Sequence, residues 1–450
     1  MLNYIWLGLV LGAFVLAGVH GEVPKLTEAA FTSCQKAVLE TAFPLIGFMA
    51  LWLGIMRLAE KSGIVNVLAR AMRPLLVRLF PDVPASHPAM GSMVMNMAAN
   101  MLGLNNAATP LGLRAMQDLE KLNPRPGTAT NAMCTFLAIN TSSIQLIPAT
   151  VVGILVAAKS TDPTAIVGTA FFATVCSTIA GITAVKLLEK LPAYRLPPVA
   201  DLPPAHELET ATQDEAYVPA TTPPLAVWAW MILAAFFAFM AYVAWNLGLH
   251  TLYAFSTQPD GAVTATRNLA ETPFTATIKA ISDLAIPFML SFFPLYAALR
   301  RVPVYEEFVE GAKEGFNVAI RIIPFLVAIL VAVGMFRAAG GIDLIAKALG
   351  SVLNVIGFPV QLLPIVLMRP LSGGGTTGLF RELVDEMGPD NIITRMGATI
   401  MGSTETTFYV IAVYFGSVAI RRTRHAVPAG LIADLTGVIA SIIICRIIFG

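Results

Sequence analysis

Long apolar stretches separated by short polar loops dominate the chain, and each stretch has about the length of a bilayer-crossing helix. A bilayer core about 30 Å thick needs about 20 mostly apolar residues per helix. That length predicts nine spans, at residues 2–19, 38–57, 130–157, 165–188, 225–248, 279–299, 317–336, 392–420 and 427–449. The first stretch lacks a preceding basic segment, so we interpret it as a retained helix rather than a signal peptide. The predicted fold class is therefore an all-α polytopic membrane protein.

A polar segment divides the predicted spans into two groups. Residues 192–224 contain 8 prolines in 33 positions, together with five acidic residues. Such a segment can neither cross a bilayer nor pack a core. We therefore divide the chain into residues 1–190, a proline-rich cytoplasmic linker at 191–224, and residues 225–450.

Composition and charge support the membrane assignment and exclude other classes of protein. Of the 450 residues, 56% are apolar and 13% are charged, whereas ordinary soluble domains are roughly 25% charged. The net charge of +1 argues against a nucleic-acid partner. The four cysteines form no CxxC pair, so we expect no metal site, redox site or cofactor.

The two groups of spans resemble diverged copies of one unit. A proline, a glycine and an arginine recur at the same spacing, with Pro44, Gly54 and Arg57 matching Pro324, Gly334 and Arg337. Further along, a polar cluster precedes an apolar helix in each half. The shared order of elements predicts an internal repeat.

The distribution of Lys and Arg predicts the orientation in the membrane. Cytoplasmic loops collect basic residues. With an inner N-terminus and nine spans, the basic clusters at 57–78, 186–195, 300–301 and 421–424 all fall on the cytoplasmic side, and the C-terminus lies outside. The loop matching 421–424 in the first half holds only Lys159 and falls on the other side. The repeat is therefore predicted to be inverted, an arrangement typical of secondary transporters.

Two apolar segments are too interrupted to be plain spans, and we predict that both are re-entrant hairpins. The first enters over 90–102, continues through polar residues 103–110 and returns towards Leu122. The second enters from the opposite face over 359–368, continues through 369–377 and returns towards Met387. Non-helical backbone at membrane depth requires protein or a wet cavity around it. The alternative is a surface loop between short interfacial helices.

Polar clusters also lie near the middles of the spans at 130–157 and 392–420. Local unwinding around a ligand would explain both clusters, and ordinary hydroxyl bonding between helices is the alternative. The substrate-binding candidates from the hairpins and clusters are Asn105, Asn106, Thr109, Asn140, Thr141, Ser142, Ser143, Gln145, Arg369, Ser372, Gly373, Gly374, Thr376, Thr377, Ser403, Thr404, Glu405, Thr406 and Thr407.

Two acidic residues within the spans are candidates for ion coupling. A carboxylate inside a membrane is costly and indicates a functional role by default. Glu405 is expected to bind substrate, to carry a coupling proton or to pair with Arg369, and a purely structural pair is the alternative. Asp434 is either a proton site or a group that hydrogen-bonds between helices.

The motifs resemble those of two spore maturation protein families. The first half is similar to spore maturation protein A at MALWLG (49–54), GLNNAATP (103–110) and FLAINTSS (136–143). The second half is similar to spore maturation protein B at FVEGAKEGF (308–316), MRPLSG (368–373) and GSTETTFY (402–409). The resemblance implies a natural fusion of the two. It also implies the nucleoside-recognition gate domain that similar proteins share with concentrative nucleoside transporters and ferrous-iron permeases.

These observations lead to one functional prediction and one alternative. We expect a secondary transporter or exporter in the bacterial inner membrane that moves a small polar solute by alternating access, with H⁺ or Na⁺ as candidate coupling ions. The alternative is a non-transporting membrane protein that organises the envelope or spore maturation. The chain has no GxSxG or HExxH pattern, so we do not expect an enzyme. The expected partners are the lipid bilayer and the solute, and a homo-oligomer is left open.

Overall fold

A computed structural model describes residues 2–103, 105–142, 144–195, 225–257, 263–267, 272–341, 344 and 357–450. The predicted linker beyond Arg195 and the candidate Ser143 lie outside the described residues. The described residues are mostly helical, as the apolar pattern predicts.

The helices of the first half follow one another with short connections. They are α1 (Leu2–His20), α2 (Val23–Gln35), α3 (Phe43–Lys61), α4 (Ile64–Leu79), α5 (Pro88–Met101), α6 (Asn105–Glu120), α7 (Asn131–Thr141), α8 (Ala149–Ala157) and α9 (Ile166–Leu188). A π-helical turn, Lys36–Ala42, joins α2 to α3, so the predicted span at 38–57 belongs to a longer helical run.

The second half begins with a helix and a short ribbon. Its elements are α10 (Val227–Leu252), β1 (Tyr253–Thr257), β2 (Val263–Arg267), α11 (Pro273–Leu299), α12 (Val304–Ala338), α13 (Leu363–Met368), α14 (Gly373–Met387), α15 (Ile392–Ser403), α16 (Thr407–Ser417) and α17 (Ala426–Phe449). Strands β1 and β2 are antiparallel, with Phe255 opposite Ala265. This ribbon is an addition to the all-α architecture that the sequence predicts.

Four of the described helices are long and apolar enough to cross a membrane, namely α9, α10, α11 and α17. Shorter apolar helices occupy Trp6–His20 and Leu326–Ala338. Helix α10 exposes most of its apolar side chains, including Trp230 and Trp245. Because such surface is unfavourable in water, the protein is a membrane protein with lipid-facing helices.

Two pairs of long helices connect the halves. Helix α3 packs along α12, and α9 packs along α17. The contact of α3 with α12 depends on glycine, since a Cβ at Gly315 would lie 2.5 Å from the carbonyl oxygen of Met49 and one at Gly311 would lie 2.5 Å from that of Leu53. At this crossing the backbones touch, and residues from both halves form one continuous core.

Two predicted spans are broken where their polar clusters lie. The span at 130–157 is divided between α7 and α8, and the span at 392–420 is divided between α15 and α16. The interruptions lie between Thr141 and Ala149 and at 404–406, where backbone groups at the helix ends need partners outside their own helix.

The connections inside the two predicted hairpins are shorter than the sequence analysis expects. Helix α6 begins at Asn105, so 105–110 forms its first turns, and α14 begins at Gly373, so 373–377 is helical as well. These polar residues can form the first turns of a helix because the first backbone N–H groups of a helix need no acceptor within it. Ser372 provides the N-cap of α14, because its Oγ accepts a hydrogen bond of 3.0 Å from the Gly375 N–H.

Candidate functional site

Arg369 closes the break between α15 and α16. Its Nη2 donates to the carbonyl oxygen of Met401 at 2.9 Å, and its Nε donates to Thr404 Oγ1 at 3.2 Å. The carbonyl oxygen of Thr404 accepts a further hydrogen bond from Nη2. The guanidinium therefore satisfies carbonyl groups that the end of α15 leaves without intrahelical partners.

Glu405 connects this break with the break of the first half. Its Oε2 lies 3.7 Å from Arg369 Nη2, and its Oε1 accepts a hydrogen bond of 3.2 Å from Gln145 Nε2. The Glu405 side chain is 30% exposed, whereas that of Arg369 is 10% exposed. In the chain of contacts from Gln145 to Arg369, Gln145 and Glu405 are therefore partly exposed, whereas Arg369 is buried.

Backbone hydrogen bonds join each break to the neighbouring hairpin turn. The Leu146 N–H donates to the Met101 carbonyl oxygen at 3.0 Å in the first half. The Phe408 N–H donates to the Pro370 carbonyl oxygen at 3.0 Å in the second half. Side chains on the turns and breaks are therefore held close together in both halves.

A group of amides lies on the first-half side of the site. Asn140 accepts a hydrogen bond of 2.9 Å from Asn100 Nδ2 and donates from its own Nδ2 to the Phe136 carbonyl oxygen at 2.9 Å. Asn96 lies one turn before Asn100 on α5 and donates to the Ala108 carbonyl oxygen at 2.8 Å.

Three members of this group are not among the residues predicted from the sequence, namely Asn96, Asn100 and Tyr414. The phenol oxygen of Tyr414 lies 3.4 Å from Asn96 Nδ2, and Gly112 makes room for this ring against α6. Two asparagines four positions apart on an apolar helix lie on one helical face, and this spacing was the available signal.

Most of the candidate hydroxyl groups donate hydrogen bonds to backbone carbonyl groups of their own helices. Thr141 and Ser142 donate to the Ala138 carbonyl oxygen, and Thr404 donates to that of Ile400. Thr376 and Thr377 likewise donate to the carbonyl oxygens of Ser372 and Gly373, each four positions earlier. These hydroxyls therefore already donate to the backbone, in an arrangement that bends helices locally.

The remaining candidates differ in how they are placed. Ser403 Oγ lies 2.9 Å from Ser441 Oγ on α17. Gly373 lies beside Thr406, since a Cβ at Gly373 would be 3.1 Å from Thr406 Oγ1. Gly374 lies in the first turn of α14, and Thr109 lies in α6. For Asn105 and Asn106, the structure places the backbone in the first turn of α6.

Asp434 is buried in α17 beside the second break. Its Oδ2 accepts a hydrogen bond of 2.6 Å from Thr407 Oγ1, whereas its Oδ1 is buried without a hydrogen-bond partner among the described residues. Arg369 and Glu405 both act on it electrostatically. Asp434 therefore lies within electrostatic range of this pair.

A wide apolar groove borders the first break. It has a volume of about 1640 Å³ and lies between α4, α10 and α11. Leu146 and Ile147, in the first break, are among its lining residues, and so are Arg70 and Arg300. The interruption of the first half therefore has an apolar surface beside it.

Loops from the two halves meet at both ends of the molecule. At one end, the N–H groups of Arg421 and Arg422 donate to the Gly127 carbonyl oxygen at 2.9 and 3.0 Å. At the other end, Ser160 and Thr161 donate to Asp390 at 2.6 and 2.9 Å. Burial alone would raise the pKa of Asp390, but these hydrogen bonds outweigh it and lower the pKa.

Comparison with known proteins places the chain beside two curated relatives. The Gate family model, described as nucleoside recognition, matches residues 42–158. Spore maturation protein B of Bacillus subtilis (strain 168) is 44% identical over 173 residues, which are 38% of this chain and 97% of that protein. Spore maturation protein A of the same organism is 43% identical over 182 residues, which are 40% of this chain and 92% of that protein. No solved structure matches the chain.

Proposed function

Because this chain belongs to the family of the spore maturation proteins A and B, we propose that it is a secondary transporter or exporter of a small polar solute. The solute site lies where the two breaks and the two hairpin turns meet, and transport occurs by alternating access. The chain acts without enzymatic chemistry or a cofactor, in the bacterial inner membrane, with the N-terminus inside and the C-terminus outside.

The pattern of loop contacts supports an inverted repeat of the units 1–190 and 225–450, joined by the linker at 191–224. After α6, the loop containing Gly127 contacts the loop between α16 and α17. After α14, the loop containing Asp390 contacts the loop between α8 and α9. Each contact is the counterpart of the other when the halves are exchanged, and the two contacts lie at opposite ends of α9 and α17.

The corresponding hydrogen bonds at the breaks support re-entrant hairpins. In each half, the helix pair α5–α6 or α13–α14 turns next to a break and is bonded to it through the backbone. Irregular backbone at membrane depth is stable when protein groups satisfy it in this way. We therefore propose a nine-span topology in which both turns lie near the midplane.

The single observation that carries the proposal is the polar chain from Gln145 through Glu405 to Arg369. It links residues 260 positions apart across the two halves, and its central carboxylate is accessible. An ionisable group in such a place is favoured only where it interacts with partners or substrate. A solute with donor and acceptor groups would bind between the amides of the first half and the charges of the second.

The experiment that tests the proposal begins with ligand binding to the purified protein. A thermal-shift panel of nucleosides, dipeptides, amino acids and dicarboxylates should contain one class that gives a saturable stabilisation. Uptake of that class into proteoliposomes should depend on a pH or Na⁺ gradient and should lose this dependence in Glu405→Gln.

A matched control comes from an exposed acid. Glu310 pairs with Lys313 on the surface of α12, at 2.9 Å, so Glu310→Gln should transport normally. Flux in Glu405→Gln that equals that of Glu310→Gln at every pH would remove Glu405 from the mechanism. The absence of flux in the wild type, with normal cellular function of both variants, would favour the non-transporting alternative.

The apolar groove favours one variant of this function, in which the solute is linked to a lipid chain. The chain would occupy the groove between α4, α10 and α11 while the polar part reaches the first break. A tryptophan at Ala244, which lines the groove, should then block a fluorescent lipid-linked probe and leave a soluble solute unaffected. Equal transport of both probes by Ala244→Trp would contradict this variant.

A further inference from the structure

A second cavity lies away from the breaks, where the loops after α6 and before α17 meet. Its volume is about 440 Å³, which is within the range of small-molecule sites. Its lining combines the first half, through Arg125 and Glu189, with the second half, through Arg424. Arg195, at the end of the described first half, also lines it.

The charges around this cavity favour an anion. Three arginines and two carboxylates, Asp82 and Glu189, line it. Lys186 Nζ lies 3.5 Å from Glu189 Oε2, so one of the carboxylates already has a cationic partner outside the lining. The balance of charge facing the cavity is therefore positive.

Arg424 is held in place by the protein rather than by a carboxylate. Its Nη1 donates to the Ala129 carbonyl oxygen at 3.0 Å and to Asn131 Oδ1 at 2.9 Å, and its Nη2 donates to the Tyr194 carbonyl oxygen. Its Nε is buried and has no hydrogen-bond partner among the described residues. Desolvation and the nearby charge of Arg125 lower the pKa of Arg424, and Cys134 and Glu189 oppose this effect. The positive charges of Arg125 and Arg424 thus repel each other beside the cavity.

The start of α7 adds to the same electrostatic preference. Thr130 is the N-cap of α7, and Thr130, Asn131 and Ala132 all line the cavity. The N-terminus of a helix carries a partial positive charge and favours anions. The helix end and the arginines therefore act on the same space.

We infer that this cavity binds a phosphate group, held by Arg125, Arg195 and Arg424 at the contact between the two halves. The planar guanidinium donates two parallel hydrogen bonds to phosphate, which makes arginine well suited to this role. The bound group joins loops of both halves, so it stabilises their contact on this face. The phosphate comes from a soluble compound or from a phospholipid headgroup, which two experimental arms distinguish.

The first arm measures thermal stability of the full chain in detergent against inorganic phosphate, with chloride at the same ionic strength as reference. A saturable rise in Tm is expected. In Arg125→Gln and Arg195→Gln, half-saturation should need at least about tenfold more phosphate. Arg78 is an exposed arginine of α4, so the phosphate concentration at half-saturation should be unchanged in Arg78→Gln. The rise should persist in Glu405→Gln, which separates this site from the proposed transport site.

The second arm measures thermal stability in nanodiscs of anionic phosphatidylglycerol, with zwitterionic phosphatidylcholine as the reference. A headgroup site predicts that phosphatidylglycerol stabilises the wild type and Arg78→Gln more than it stabilises Arg195→Gln, even where inorganic phosphate gives no rise. The proposal is overturned if neither phosphate source stabilises the protein. It is also overturned if Arg125→Gln and Arg195→Gln both respond like the wild type.

Discussion

The break between α15 and α16 should depend on Arg369 more than on any surface arginine. Replacing Arg369 with alanine leaves the buried carbonyl oxygens of Met401 and Thr404 without the donors that now reach them. Each buried carbonyl left unsatisfied costs about 1–3 kcal/mol. The two groups together predict a loss of about 2–6 kcal/mol in the free energy of unfolding.

The ion pair with Glu405 contributes little to this total. The two groups are 3.7 Å apart, and the Glu405 side chain is 30% exposed. Pairs that solvent reaches are worth about 0–1 kcal/mol. Glu405→Gln should therefore cost at most about 1 kcal/mol, because Arg369 keeps its bonds to the backbone.

Thermal unfolding in detergent, followed by tryptophan fluorescence, measures the difference. At about 2 °C per kcal/mol, Arg369→Ala should lower Tm by roughly 4–12 °C. Arg369→Lys should be intermediate, because one ammonium group cannot reproduce a guanidinium that bonds several acceptors. Arg422→Ala is the matched control, since Arg422 is exposed and its described hydrogen bonds are made by its backbone. If Arg369→Ala were as stable as Arg422→Ala, Arg369 would not be the group that holds the break.

Three further predictions test the packing, the pH response and the topology. Gly315→Leu should cost about 1–3 kcal/mol, because the new Cβ would lie 2.5 Å from a backbone oxygen of α3, whereas Gly47→Leu, with open space around it, should be tolerated in the same Tm assay. Burial, together with Arg424 and Lys186, lowers the pKa of His425 from 6.5 to about 4. As the pH falls from 6.5 to 4, the unfolded state therefore binds a proton that the folded state does not, and the free energy of unfolding should fall by on the order of 3 kcal/mol. His425→Gln should lack this loss in a pH series of unfolding curves. A cysteine at position 159 should react with an impermeant reagent added outside, and a cysteine at 423 should not; the reverse pattern would reject the inverted orientation.

The lengths of the apolar stretches predicted several of the helices well, because a surface that faces lipid must be apolar irrespective of the tertiary contacts of the helix. The spans at 165–188 and 427–449 correspond closely to α9 and α17. The polar clusters at Asn140 and Glu405 also indicated where helices break. In these places the local sequence contains the whole signal, since unwound backbone and polar side chains occur together.

The extent of the turns was less predictable. The run of glycines at 373–375 has low helix propensity, which suggested a loop through Thr377. In the structure, the cap by Ser372 begins α14 at Gly373. A single side-chain hydrogen bond thus outweighs the local propensity, and composition alone does not show whether the cap forms.

Contacts between distant residues could not be obtained from the sequence. The pairing of Arg369 with Glu405 was one of several roles that the sequence left open for Glu405. The hydrogen bond from Gln145 to Glu405 spans 260 positions. Asn100 was not among the candidates because it lies within 90–102, the segment interpreted as the entering helix of the first hairpin, and not in the polar turn. A repeat predicts which elements correspond, but it does not predict which side chains meet between them.

The two sides of the candidate site differ in a way that assigns them different tasks. The first half contributes neutral amides at Asn100, Asn140 and Gln145, whereas the second half contributes the charges of Arg369 and Glu405, with Asp434 behind them. Neutral amides recognise a polar solute through donors and acceptors without changing charge. A carboxylate can take up or release a proton, so ion coupling on the second-half side would alter the charge at Glu405 while the contact between Asn100 and Asn140 stays the same. Because Gln145 contacts Glu405 directly, a change of charge at Glu405 would be felt first at the junction between the halves, where alternating access requires the two units to move.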